Sequence, residues 1–319
     1  VTERVLVTGA TGFIGRALLA RLASDGHALR AAVRNPAPDL DVEQIRVGDL
    51  GPETEWDRAV ASCDVVVHAA ARVHVLRERA AAPLTEYRRA NVEGTLQLVR
   101  RAAAAGVRRF VFVSSIKVHG EETQPGRPFR ADDPPAPIDA YGVSKLEAEE
   151  GLRRIAAETG MQFTIVRPPL VYGPGVKANF HALMRALYRG LPLPLGAIDN
   201  KRTLVALDNL VDLIAVCVAH PAAADAVFLA GDAEDLSTTE LARRLADALG
   251  VRPRLLPVPA RLLEASARVL GAAALAQRLC RWLQIDTCAA RERLGWSPPV
   301  AVNEALRRTA AHFLRTAAT

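Results

Sequence analysis

Aromatic residues are scarce in this 319-residue chain, at 5%, and the basic residues are mostly arginines scattered through an alanine-rich background without a long run of one sign. With little to stack on bases and no basic tract to follow a phosphate backbone, nucleic acid is not the expected partner, despite a formal net charge of +6. An anionic small molecule fits the positive balance better. The cysteines Cys63, Cys217, Cys280 and Cys288 contain no C-x-x-C pair and no regular spacing, so neither a zinc site nor a disulfide framework is implied. Long apolar runs are missing too. The stretch Leu204 to Ala219 is broken by Asp208, Asn209 and Asp212, too polar to cross a bilayer, so no membrane insertion is expected. Glu3 and Arg4 precede the short run Val5 to Val7, and glycines follow at once, which is not the pattern of a secretion signal. A cytoplasmic location is expected.

Half the residues are hydrophobic and 24% are charged, an ordinary balance for a folded protein. Short β-branched runs alternate with segments of helical spacing in the first half. Strands are predicted at Arg4–Thr8, Ala28–Val33, Ile45–Val47, Val65–Ala69, Arg109–Ser114 and Phe163–Arg167. Runs such as Val65-Val66-Val67 suit parallel strands covered on both faces. The fold class is therefore α/β, a Rossmann-like doubly wound parallel sheet over residues 1–167, with a probable return segment near 204–222. After Pro168 a Pro/Gly-rich stretch leads into mostly helical segments, read as a smaller, mixed C-terminal substrate lobe over 168–319. The proline-rich stretch Thr123 to Pro137 reads as a surface loop.

The first strand runs into Thr8-Gly9-Ala10-Thr11-Gly12-Phe13-Ile14-Gly15 and then a helix. Strand, tight glycine turn and helix N-terminus together present backbone N–H groups to a pyrophosphate. The candidate dinucleotide contacts here are Gly9, Thr11, Gly12, Phe13 and Ile14. Where an acidic residue would bind the ribose 2′-hydroxyl of NAD, the chain reads Ala32-Val33-Arg34-Asn35. Arg34 could grip a 2′-phosphate, favouring NADPH with NADH possible, or be a solvated turn residue. Arg16 is a second candidate for a phosphate.

Tyr141 and Lys145 stand i,i+4 on a segment of helical spacing and project from one face. A neighbouring ammonium would favour the phenolate and make Tyr141 an acid/base near neutrality. The hydroxyl pair Ser114-Ser115 closes a buried-looking strand beside it.

On these motifs the chain resembles the extended short-chain dehydrogenase/reductases, the nucleotide-sugar epimerase/dehydratase/reductase family. The family's TGxxGxxG matches Thr8 to Gly15. Its adenine-side aspartate matches Asp49, followed by Leu50, and its His-x-Ala segment matches His68-Ala69-Ala70-Ala71. Its helix asparagine matches Asn91, its catalytic residues match Ser115, Tyr141 and Lys145, and its crossover matches Arg167-Pro168 and Tyr172 to Gly175. The Arg-x(n)-Val-x-Asp element matches Arg202 to Asp208. The resemblance implies an enzyme with no metal, in which Tyr141 moves a proton, Ser115 hydrogen-bonds the same oxygen and Lys145 holds the nicotinamide ribose. It also implies a homodimer built partly through the tyrosine helix.

Ile116 and Lys117 replace the Asp-Glu pair of dehydratases, and Leu170 replaces the usual epimerase asparagine. The stretches Ser114 to Glu121 and Pro169 to Phe180 are similar to bacterial 4-reductases of O-antigen and lipopolysaccharide synthesis. Those act on UDP-2-acetamido-2,6-dideoxy-hexos-4-ulose, giving UDP-N-acetylfucosamine or UDP-N-acetylquinovosamine; His119 departs from an asparagine of that group. A UDP-sugar substrate is expected, with Asn179 and Arg202 as diphosphate or uridine contacts and Lys117 facing the sugar. The plainer readings are an N-cap for Asn179, a salt bridge for Arg202 and charge balance against Glu121 and Glu122 for Lys117. Arg72 and His74 either line the pocket or sit in a solvated loop. The alternatives to a 4-reductase are a UDP-sugar 4-epimerase with tightly held NAD, reduction of a non-sugar ketone, and a non-catalytic NADP-binding protein.

Overall fold

The computed structural model describes residues 2–73, 83–269 and 273–317; His74 lies outside them. In chain order the first half folds as β1 (Arg4–Thr8), α1 (Phe13–Ser24), β2 (Ala28–Val33), β3 (Glu43–Arg46), α2 (Asp57–Val60), β4 (Val65–His68) and α3 (Pro83–Tyr87). A π-helical turn, Arg88–Gly94, then leads into α4 (Thr95–Ala104), β5 (Arg109–Val113), α5 (Ala140–Thr159) and β6 (Gln162–Arg167). The second half holds β7 (Leu170–Tyr172), α6 (Ala178–Tyr188), β8 (Leu204–Ala206), α7 (Leu207–Ala219), β9 (Ala226–Leu229) and α8 (Thr238–Ala248). It closes with α9 (Ala260–Val269), α10 (Ala273–Cys280), α11 (Cys288–Leu294) and α12 (Val302–Ala317).

Seven strands form one sheet in the order β3-β2-β1-β4-β5-β6-β9, each neighbouring pair parallel. Successive side chains on a strand point to opposite faces, and both faces here are apolar. Val5, Val7, Val65, Val67 and Val111 pack with α1 and α7 on one side. Leu6, Val66, Phe110 and Phe112 pack with α2, α4 and α5 on the other. Strand order reverses between β1 and β4, which opens a crevice at their carboxyl ends.

The chain beyond Pro168 is less purely helical than its pattern predicts. β7 and β8 pair in a small parallel sheet, and β9 returns to the large sheet beside β6. β9 is only four residues long, Ala-Val-Phe-Leu, too short for its period to be read from sequence. The smaller lobe has its own core of Tyr172, Phe180, Met184, Leu245, Leu306 and Phe313. The loop over residues 123–137 is pinned to the stretch before α11: Thr123 N donates to Trp282 O at 2.9 Å and Phe129 N to Gln284 O at 2.9 Å.

Candidate active site

The turn from β1 to α1 is shaped by two glycines that no other residue could replace. Gly9 has φ +68°, and a Cβ there would lie 2.8 Å from the backbone of Ala69 and Ala70. A Cβ on Gly15 would lie 2.1 Å from the carbonyl oxygen of Gly9. The result is a close approach of the turn to the end of β4, which puts Gly9 next to Ala69 and Ala70. Gly12 caps the 12-residue α1 with no side-chain hydrogen bond, so the first-turn N–H groups of Phe13 and Ile14 face outward at an open helix N-terminus. A dinucleotide pyrophosphate fits this cradle.

Behind the crevice, the Thr8 hydroxyl and Thr95 hydroxyl lie 2.7 and 2.9 Å from the two ring nitrogens of His68. Burial, and then the nearby Lys145, lower its pKa to about 3, so it is a neutral strut between β1, β4 and α4. At the adenine end, Arg34 and Asp49 face each other at 3.5 Å with side chains 75% and 91% exposed. Arg16 is paired with the exposed Asp39 and donates to the carbonyl of Thr11 at 3.1 Å. Asn91, expected as a dinucleotide contact, makes three hydrogen bonds within the protein. It is buried in the π-helical turn, its Oδ1 accepts from Arg72 N at 2.8 Å, and its Nδ2 donates to Arg72 O and Ser144 Oγ, each at 3.0 Å. It thereby ties the end of β4 to α5 and acts through position.

Ser115, at the end of β5, accepts from Lys117 N at 3.2 Å and opens a short 3-10 turn over Ile116–Val118. α5 starts against this turn: Asp139 caps it by accepting from Gly142 N at 2.7 Å, and a Cβ on Gly142 would meet the Lys117 carbonyl at 2.7 Å. The helix brings Tyr141 and Lys145 to the end of β5. Lys145 is buried, with Nζ 3.9 Å from the centre of the Phe112 ring and donating to Val113 O at 2.7 Å. Burial lowers its pKa to about 7, against a smaller opposing effect of Glu149. Tyr141 sits edge-on to Tyr87, ring centres 6.1 Å apart. Its pKa is raised, by burial first and then by Asp139 and Tyr87. The sequence predicts a phenolate favoured by the Lys145 ammonium together with the positive nicotinamide ring; the first of these is directed at β5 instead.

Beneath these groups lies a charged network that the sequence pattern did not single out. Glu149, on α5, pairs with Arg167 at the end of β6, both side chains 5% exposed or less, and accepts from the Ser114 hydroxyl. Arg167 Nη1 donates to His119 Nε2 at 2.7 Å. Burial and Arg167 lower the His119 pKa to about 4, so the ring is neutral, and its Nδ1 has no hydrogen-bond partner. Pro168 continues from Arg167, its carbonyl accepting from Ile116 N at 2.9 Å.

On the side of the smaller lobe, Lys117 is ion-paired. Its ammonium pairs with Glu121 at 2.7 Å and with Asp139, so it steadies the cap of the tyrosine helix; Glu122 pairs with Arg281 instead. Arg202 donates one nitrogen to Arg281 O at 2.9 Å, and burial lowers its pKa to about 10, partly offset by Glu121. Glu121 thus relates Lys117 to Arg202. Asn179 is exposed in the first turn of α6, and the N-cap is Lys177, so the capping alternative does not hold. Leu170 is 48% exposed on β7. Among the described residues no group of three His, Cys, Asp or Glu could hold a metal ion. A cleft of about 720 Å³ lies on the outer side of the Glu149–Arg167 pair, bordered by Asp133, Glu150, Arg153 and Glu292, and Tyr141 does not line it.

A parallel sheet with this glycine cradle and a Ser/Tyr/Lys group beyond its carboxyl edge defines a dinucleotide-dependent enzyme of the short-chain dehydrogenase/reductase type. Residues 5–231 match the NAD dependent epimerase/dehydratase family, and the chain belongs to that family. It is 44% identical to a UDP-glucose 4-epimerase of Vibrio cholerae, over 98% of this chain and 96% of that protein. It is also 31% identical to a 2-alkyl-3-oxoalkanoate reductase of Stenotrophomonas maltophilia, over 96% of this chain and 98% of that one. Among solved structures, MoeE5 in complex with UDP-glucuronic acid and NAD superposes with a TM-score of 0.79 at 28% identity, covering 98% of this chain and 99% of that one.

Proposed function

We propose that the protein is a UDP-sugar 4-epimerase, with the sheet of residues 1–167 and its return segment holding NAD and the rest of 168–319 holding the UDP-sugar. The observation that carries the reading is the 44% identity to a UDP-glucose 4-epimerase, which runs through both lobes. The glycine turn Gly9 to Ile14, Asp49-Leu50, Ala69 to Ala71 and Pro168 would line the dinucleotide. NAD, when bound, supplies the hydride chemistry. As phenolate, Tyr141 would take the O4 proton while the C4 hydrogen leaves as hydride to the dinucleotide, and would give the proton back when the hydride returns to C4 on the opposite face of the sugar. Ser115 donates to the same oxygen, and Lys145 holds the nicotinamide ribose. The raised pKa of Tyr141 calls for added positive charge near its phenol at the moment of proton removal, which the oxidised nicotinamide would bring. Arg202 and Asn179 are the proposed UDP contacts. The homodimer and cytoplasmic location expected from the family belong to the same reading.

A second reading rests on Arg34 and Leu170: NADPH-dependent reduction of the C4 ketone of a UDP-4-keto-6-deoxy-N-acetylhexosamine. The exposed Arg34 suits a 2′-phosphate, and a reductase must exchange its dinucleotide at each turnover. Incubation with UDP-glucose, and separately with the 4-keto sugar plus NADPH, separates the two. UDP-galactose formed without net change in dinucleotide supports the epimerase; stoichiometric NADPH oxidation on the keto sugar supports the reductase.

A further inference from the structure

Although the arginines are scattered along the whole chain, their balance with carboxylates is uneven. Residues 251–281 hold six arginines against a single glutamate, a net of five charges out of the chain's six. Arg252, Arg254, Arg261 and Arg268 are exposed, and none of them pairs with a carboxylate among the described residues. The same edge collects the apolar surface. Of the eight large hydrophobic side chains exposed among the described residues, Leu256, Leu262 and Leu275 fall in this stretch and Leu191 lies just before the segment bridged to it.

Backbone bridges hold these pieces in a common framework. Leu193 pairs with Leu255 and Ala197 with Pro259, joining the segment after α6 to the segment before α9, and α9 packs on α10. Leu263 and Leu279 turn inward onto Leu195 and Ile198, so the lobe closes its core without Leu262 and Leu275, which are 63% and 48% exposed.

We propose that this edge seats on an anionic membrane surface. Exposed leucines close to unpaired arginines, as in Arg261-Leu262 and in Leu256 two residues after Arg254, are the pattern of a helix and loop lying in the headgroup region. A protein interface would gather its apolar residues in a centre ringed by polar ones. No helix among the described residues is long and apolar enough to cross a bilayer, so the contact is peripheral. The residue after α10, Arg281, accepts at its carbonyl from Arg202, one of the proposed UDP contacts, so docking would bring that side of the candidate site toward the lipid surface.

The proposal does not depend on the C4 chemistry and is tested without it. The full chain is floated with vesicles of phosphatidylcholine alone and of phosphatidylcholine with phosphatidylglycerol, and its mass is followed by light scattering. Binding to the anionic vesicles only is expected. The variant Arg261→Gln/Arg268→Gln should lower the partition coefficient about 25-fold, about fivefold per arginine. Leu262→Asn/Leu275→Asn should lower it at least about tenfold with the charge unchanged. Because all four side chains are exposed, both variants should melt with the parent. No binding to anionic vesicles at low salt overturns the proposal, as does binding insensitive to the leucine pair. A wild-type dimer that the leucine variant dissolves would show a second copy of the chain as the occupant, and also overturns it.

Discussion

The ammonium of Lys145 donates to the carbonyl oxygen of Val113 at 2.7 Å, so the residue expected to charge Tyr141 is held by the last residue of β5. Its folded pKa of about 7 lies below the ordinary 10.5. As pH falls from about 10.5 the unfolded chain takes up a proton that the folded one refuses, and stability drops until about pH 7, below which the cost is complete. Lys145→Met removes that cost. Its melting temperature should exceed the parent's by about 2 °C or more at pH 7, with the gain shrinking toward pH 10.5, while turnover falls at least about 100-fold. A melting temperature below the parent's at pH 7 would contradict the burial argument.

Tyr141→Phe keeps the ring packed edge-on to Tyr87 and deletes only the hydroxyl. Turnover should fall by about 10³-fold or more with dinucleotide affinity, measured by calorimetry, within about twofold of the parent. A variant that keeps more than a tenth of the activity would remove Tyr141 from the proton path.

Much of the scaffold was legible in sequence because it rests on local signals. The β1 turn shows its glycines in order, the valine runs of β4 and β5 mark covered strands, and the i,i+4 spacing of Tyr141 and Lys145 puts them on one helix face. What escaped depends on partners far apart in the chain. Glu149 is one more carboxylate on α5 until β6 delivers Arg167 against it. Lys117 could be weighed against nearby Glu121 from sequence, but its second partner, Asp139, arrives only with the α5 cap. β9 is four residues of ordinary apolar sequence until β6 gives it an edge to join.

Breaking the Glu149–Arg167 pair leaves a guanidinium buried without its charge partner. Glu149→Gln should cost about 3–5 kcal/mol in urea unfolding. Glu149→Gln combined with Arg167→Met should recover part of that loss, because both charges are gone. If the double variant is less stable than the single one, the network contributes more than the pairing of these two charges.

His119 and His68 are both buried neutral, with pKa values near 4 and 3. Their folded values lie below the ordinary 6.5, so stability is lost as pH falls from about 6.5 toward those values. His119→Asn should flatten the fall in melting temperature between pH 6.5 and pH 4. A pH profile unchanged by the substitution would place the acid sensitivity elsewhere.

Arg34 is exposed just after β2 and faces Asp49. If it grips a 2′-phosphate, Arg34→Ala should lower NADP affinity about ten- to a hundred-fold and leave NAD affinity unchanged. Equal losses for both dinucleotides would make it a residue of the adenine side alone.

The most direct measurement is to incubate the purified protein with UDP-glucose, add no dinucleotide beyond what remains bound, and quantify UDP-galactose by NMR. Interconversion to equilibrium with no net change at the nicotinamide absorbance, abolished by Tyr141→Phe, is the expected result. No UDP-galactose, with NADPH consumed mole for mole on the UDP-4-keto sugar, would contradict the epimerase reading and establish the reductase.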